Sequence, residues 1–190
     1  YQTQTNSASV FAAIVCQGVS PFTSMGIVWS TSPNPTVSLS TKTSESLLGG
    51  NRFSSTITNL LKNATIYVRA YATNYLGTSY GPNITFTTIT TPTISSTATV
   101  TSITGTTATS GGTITVDGGA TVTSRGLVWG TSSWASTYSV TTGTGTGTYT
   151  SSLTGLGLST TYYVRAFATN NVGTIYGPEV TFSTPSTATL

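Results

Sequence analysis

An internal repeat constrains this chain more than any other feature. Tyr67-Val-Arg-Ala-Tyr-Ala-Thr-Asn74 returns as Tyr163-Val-Arg-Ala-Phe-Ala-Thr-Asn170, and Gly77-Thr-Ser-Tyr-Gly-Pro82 returns as Gly173-Thr-Ile-Tyr-Gly-Pro178, both at an offset of 96. Upstream, Gly26-Ile-Val-Trp29 matches Gly126-Leu-Val-Trp129 at an offset of 100, so the second copy is four residues shorter between its Trp and Tyr149, the counterpart of Phe53. Self-similarity at a fixed period marks one structural unit used twice. For a chain of 190 residues it predicts two domains, 1–90 and 91–190.

Within each copy, β-branched and aromatic residues run in short, alternating stretches punctuated by Gly, Pro and Asn, with no helical period. Expected strands in the second copy are Ile94 to Ser102, Thr107 to Val116, Thr121 to Thr131, Tyr149 to Thr154, Thr161 to Thr169 and Glu179 to Ser183. Turn signals at this spacing predict an all-β fold, one antiparallel sandwich per copy. Trp29 and Trp129 recur in one Gly-x-Val-Trp context despite different loops, which predicts a shared place in the core.

The residues carry a resemblance. Leu153-Thr-Gly-Leu156, the alternating Tyr162, Val164, Ala166, Ala168 and Asn170, and Gly173 resemble the later strands of fibronectin type III domains. The Arg125-Gly-Leu-Val-Trp129 and Tyr163-to-Asn170 motifs are similar to type III-like repeats of large secreted and surface proteins of Bacteroidetes. The resemblance implies two tandem immunoglobulin/fibronectin type III-like sandwiches. It also implies that Tyr162 closes a tyrosine corner. Ile66 stands at that position in copy one, and both copies lack the Trp usual in the second strand of such domains.

Charge is scarce: six bases, three acids and no His among 46 Thr and 27 Ser. That excludes His-based triads and His metal sites, and the lone Cys16 excludes an internal disulfide and a thiolate zinc cluster. Glu45, Asp117 and Glu179 lie in different loops or strand ends of two copies, so a glycosidase pair or a calcium cluster is not expected. Six scattered bases make no stripe for nucleic acid, and no apolar run exceeds Val10 to Cys16, too short to cross a bilayer. The expectation is a chain without catalytic residues, metal or cofactor, that neither binds nucleic acid nor inserts into a membrane. Asn63-Ala-Thr65 and Asn83-Ile-Thr85 fit the N-glycosylation pattern, as sequences rich in Thr do by composition.

Strand alternation puts Val68, Ala70 and Ala72 on one face and Tyr67, Arg69 and Tyr71 on the other; Tyr163, Arg165 and Phe167 repeat the second set. Such a stripe either stacks on sugar rings or a partner or stabilises its own sheet. Trp134, in the variable Ser132-Ser-Trp-Ala-Ser segment, is a separate candidate contact. The strand-like opening of copy two has a copy-one counterpart that would lie before Tyr1. Ser186-Thr187-Ala188-Thr189-Leu190 repeats Ser96-Thr-Ala-Thr-Val100 almost letter for letter, making it a candidate donated strand. The expected role is an extracellular structural or adhesive segment of a bacterial surface protein or filament. Its partners are neighbouring copies, adjacent repeats, or glycans and host or substratum surfaces. The alternative is a carbohydrate-binding module of a secreted enzyme.

Overall fold

The computed structural model describes residues 6–15, 21–48 and 51–187, and the chain divides into two compact units, Tyr1–Ile89 and Thr90–Leu190. Both are all-β and antiparallel. The first holds β1 (Ala8–Ala13), β2 (Ser24–Ser30), β3 (Arg52–Ile57), β4 (Thr65–Asn74), β5 (Gly77–Tyr80) and β6 (Ile84–Thr87). The second holds β7 (Thr93–Thr97), β8 (Thr107–Val116), β9 (Ser124–Gly130), β10 (Tyr138–Gly143), β11 (Gly147–Thr154), β12 (Thr161–Asn170), β13 (Gly173–Tyr176) and β14 (Val180–Ser183).

In the second unit a three-stranded sheet, β11-β8-β7, faces a sheet ordered β10-β9-β12, with β13 and β14 sharing the far edge of β12. The first unit repeats this plan with fewer strands: β1 pairs β3, and β2 pairs β4, whose far edge takes β5 and β6. A sandwich must bury one face of each sheet, and alternation supplies it. Val164, Ala166 and Ala168 of β12 lie with Leu127, Leu153 and Ile114 in one core. Ile27, Val68, Phe53 and Ile57 centre the other.

The recurring glycine of Gly-x-Val-Trp has a steric reason. A Cβ on Gly126 would lie 1.8 Å from the Val140 carbonyl oxygen of β10, and one on Gly26 would lie 2.2 Å from that of Thr43. In each unit a neighbouring backbone crosses directly over this residue, so no side chain fits.

Two expectations change in detail. Trp129 is 5% exposed, but Trp29 is only half-buried at the margin of its core. Trp129 stacks on Tyr138 of β10, ring centroids 5.9 Å apart. Beside Trp29 the first unit has, among the described residues, an irregular segment in place of such a strand: Trp29 N–H donates to the Thr41 carbonyl, Thr43 and Glu45 N–H donate to the Ile27 and Met25 carbonyls, and Lys42 bridges Val28. The stripe expected to face outward is partly covered too: Tyr71 and Arg165 are buried, while Tyr67, Arg69, Tyr163 and Phe167 are half-buried. Neighbouring segments lie over that sheet face, which alternation alone does not report.

Candidate functional site

The stripe residues contact their own sheets and the loops that cross them. Arg69 lies over the Tyr80 ring, 4.5 Å from its centroid, and its Nε donates to the Gly81 carbonyl at 3.1 Å. Tyr71 donates its hydroxyl to the Thr43 carbonyl at 2.6 Å. In the second unit Arg165 sits between two rings, 4.6 Å from Tyr176 and 5.0 Å from Trp134. Each arginine thus packs on the tyrosine of the following Gly-Thr-x-Tyr motif, a cation–π contact that fixes the sheet face. The motif was visible in the sequence, whereas its pairing with the arginine was not.

Trp134 is held in a defined place although it is 67% exposed. Its backbone is left-handed, φ 62°, in a turn where Ala135 N–H donates to the Ser132 carbonyl. The Glu179 carboxylate accepts from Trp134 N–H at 2.6 Å and from the Ser133 hydroxyl at 2.8 Å, and Arg165 Nη2 donates to the Trp134 carbonyl at 2.9 Å. An unfavourable φ for a bulky residue is here over-determined by a carboxylate and a guanidinium.

Asp117 and Glu179 are spent on local structure. Asp117 accepts from Gly119 N–H at 2.9 Å, Glu179 braces the Trp134 turn, and no group of three His, Cys, Asp or Glu side chains gathers among the described residues. Tyr162 lies buried against Phe182, ring centroids 5.6 Å apart, and its hydroxyl accepts from the Gly157 N–H at 2.9 Å. Ile66 fills the matching place in the first unit and is buried without a polar partner to make.

The second candidate site is an edge. β8 lies between β11 and β7, whereas its counterpart β1 pairs, among the described residues, with β3 alone. Beside β1 a cleft of about 210 Å³ opens between Val10, Ala12, Ile27, Ala70, Gly81 and Ile84. The tail expected to donate a strand leaves the second unit at Pro185 with Ser186 and Thr187 exposed. Ala188, Thr189, Leu190 and Cys16 lie outside the described residues.

The fold is that of tandem immunoglobulin and fibronectin type III domains. Consecutive domains of titin match 96% of this chain at a TM-score of 0.53 and 14% identity. The chain spans 61% of that titin fragment, about three fifths of it. The FN1–FN3 domains of chicken CNTN1 match 97% of this chain and 64% of their own length, with 17% identity and a TM-score of 0.40. No protein-family model matches the chain, and no curated protein matches it. The likeness to the titin domains shows the fold alone: two tandem all-β sandwiches of the immunoglobulin and fibronectin type III kind.

Proposed function

We propose that this chain is a non-enzymatic structural and adhesive segment of a bacterial surface protein or filament, and that copies join head to tail outside the cell through the C-terminal strand. The observation that carries this reading is the contrast between a three-stranded sheet in one unit and, among the described residues, a two-stranded one in the other. Open sheet edges expose unpaired backbone groups, and natural proteins cover them. The tail nearly repeats Ser96–Val100, the last two residues of the covering strand and the three that follow it, which makes it a suitable cover. The contact is heterologous, so repetition extends it into a filament unless it closes into a ring. The barely charged, hydroxyl-rich composition fits such a role, since hydroxyls hydrate a surface without responding to pH or salt as ions do. The bacterial surface setting rests on the likeness of the Arg125-to-Trp129 and Tyr163-to-Asn170 motifs to repeats of Bacteroidetes surface proteins.

Sedimentation of the full chain over a range of concentrations tests this against the chain ending at Thr184. The full chain should grow into head-to-tail assemblies while the shortened one stays monomeric with its second unit folded. Equal assembly by both would overturn the reading. A glycan-binding module is favoured by one observation, the exposed and braced Trp134 beside the half-open ring of Tyr176. A reproducible sugar signal on a glycan array, lost in Trp134→Ala, would support that second reading, and silence would remove it.

A further inference from the structure

The second unit contains a template for what fits the first unit's cleft. There β7 lies against both sheets: Thr97 Oγ1 accepts from the Ala166 N–H of β12 at 2.9 Å, and just beyond β7 the Ala98 N–H donates to the Gly111 carbonyl of β8 at 2.9 Å. Ile94 packs against the core. A Cβ placed on Gly177 would lie 2.9 Å from both Ile94 and Thr97, so the strand fills the space over this glycine.

The first unit has the same receiving groups. Gly81 N–H donates to the Ala70 carbonyl at 2.9 Å, as Gly177 N–H does to the Ala166 carbonyl at 2.8 Å, so the two edges are built alike. Yet, among the described residues, a Cβ on Gly81 would meet nothing nearer than Ala70, at 3.7 Å. Burial differs accordingly. Ile114, Ala166 and Ala168 are shut away from solvent in the second unit, whereas their counterparts Ile14, Ala70 and Ala72 are half-buried. An exposed strand edge lined by small apolar residues takes an added strand through main-chain bonds, with pockets selecting its side chains.

We propose that the cleft between β1, Ala70 and Gly81 is the docking site for the Ser186–Leu190 strand of a second copy, seated in the register of β7. Ser186 and Thr187 take the places of Ser96 and Thr97, and Leu190 that of Val100. The Thr187 hydroxyl then accepts the Ala70 N–H, and the following N–H donates to the Phe11 carbonyl. This assignment rests on the head-to-tail reading and specifies the receiving groups.

Gly81→Leu tests it, because the site has room for a Cβ and lies outside the left-handed region, so the side chain fills the cleft without straining the backbone. The expected result is an unchanged melting temperature and an association constant lowered at least tenfold. Thr187→Val should weaken association and Thr187→Ser should preserve it. Independently of that variant, a peptide of residues 92–101 titrated into the chain ending at Thr184 should shift the Ala70 and Gly81 amide resonances. Tail-dependent assembly that Gly81→Leu leaves intact would overturn the cleft while sparing the head-to-tail reading. A peptide that docks at Ala70 and Gly81 while the full chain never self-associates would overturn the second copy as occupant, and the head-to-tail reading with it. A peptide that leaves both resonances unmoved would overturn the cleft.

Discussion

Trp129 and Trp29 hold the same position in the repeat but different surroundings, and their energetics should differ accordingly. Trp129 is enclosed and stacked on Tyr138, so Trp129→Ala should cost about 3–5 kcal/mol through lost transfer energy and the cavity left behind. Trp29→Ala should cost less, because part of that side chain is already in contact with water. Denaturant unfolding of both variants checks this, and equal losses would contradict it. Tyr149 and Phe53 form a second unequal pair. Burial pushes the Tyr149 hydroxyl up to about 12, with the nearby Arg125 charge offsetting only part of it. The hydroxyl donates to the Gly126 carbonyl at 2.5 Å. A folded-state value above the unfolded one of about 10 means that this contribution is complete below about pH 10 and is lost as pH rises through about 12. The loss is on the order of 2–3 kcal/mol. Tyr149→Phe should flatten that alkaline fall when stability is measured from about pH 9 to about pH 12.

At the scale of elements, the long strands were legible, and of the short ones Val180–Ser183 emerged within a residue of Glu179 to Ser183 while two others did not. Thr107 to Val116 emerged with the expected bounds, and β11 and β12 emerged close to them, because β-branched alternation over eight to ten residues is a strong signal. Tyr138–Gly143 and Gly173–Tyr176 were missed: the first reads as Thr and Gly leading into a loop, the second as a turn motif. Both form strands because a neighbour offers them an edge. β7 is shorter than Ile94 to Ser102: its pairing with β8 shifts register between Thr93 and Ser96, and past Thr97 it continues as the Ala98 N–H bond to the Gly111 carbonyl and an isolated bridge between Thr101 and Thr109. The cleft in the first unit was illegible in sequence because its groups come from β1, β4 and the turn after β5. One element-level device recurs without having been read: Thr88 and Thr184, both buried, close the strand ends. Thr184 Oγ1 donates to the Gly157 carbonyl at 2.6 Å and accepts the Thr160 N–H at 3.0 Å. Thr184→Val keeps the shape and orphans both groups, so it should destabilise the second unit by about 1–3 kcal/mol in a thermal or denaturant melt. Tyr162→Phe, which removes the acceptor of the Gly157 N–H, should cost about 1 kcal/mol.

At the scale of the whole molecule, the chain is two versions of one sandwich, the second having β7 and β10 where the first, among the described residues, has no strand. The second unit carries its covering strand at β7, and the first presents the receiving edge without one among the described residues. On the proposed head-to-tail reading each copy receives one strand and donates one, so disabling either end should leave the other competent. Gly81→Leu fills the receiving cleft but retains the tail; the chain ending at Thr184 retains the cleft but has no tail. Each variant alone should sediment as a monomer. The most direct measurement is sedimentation of the two mixed in equal amounts. A one-to-one dimer and nothing longer is expected, because a single intact contact remains between them. A mixture that stays monomeric, or that builds assemblies beyond the dimer, would contradict it.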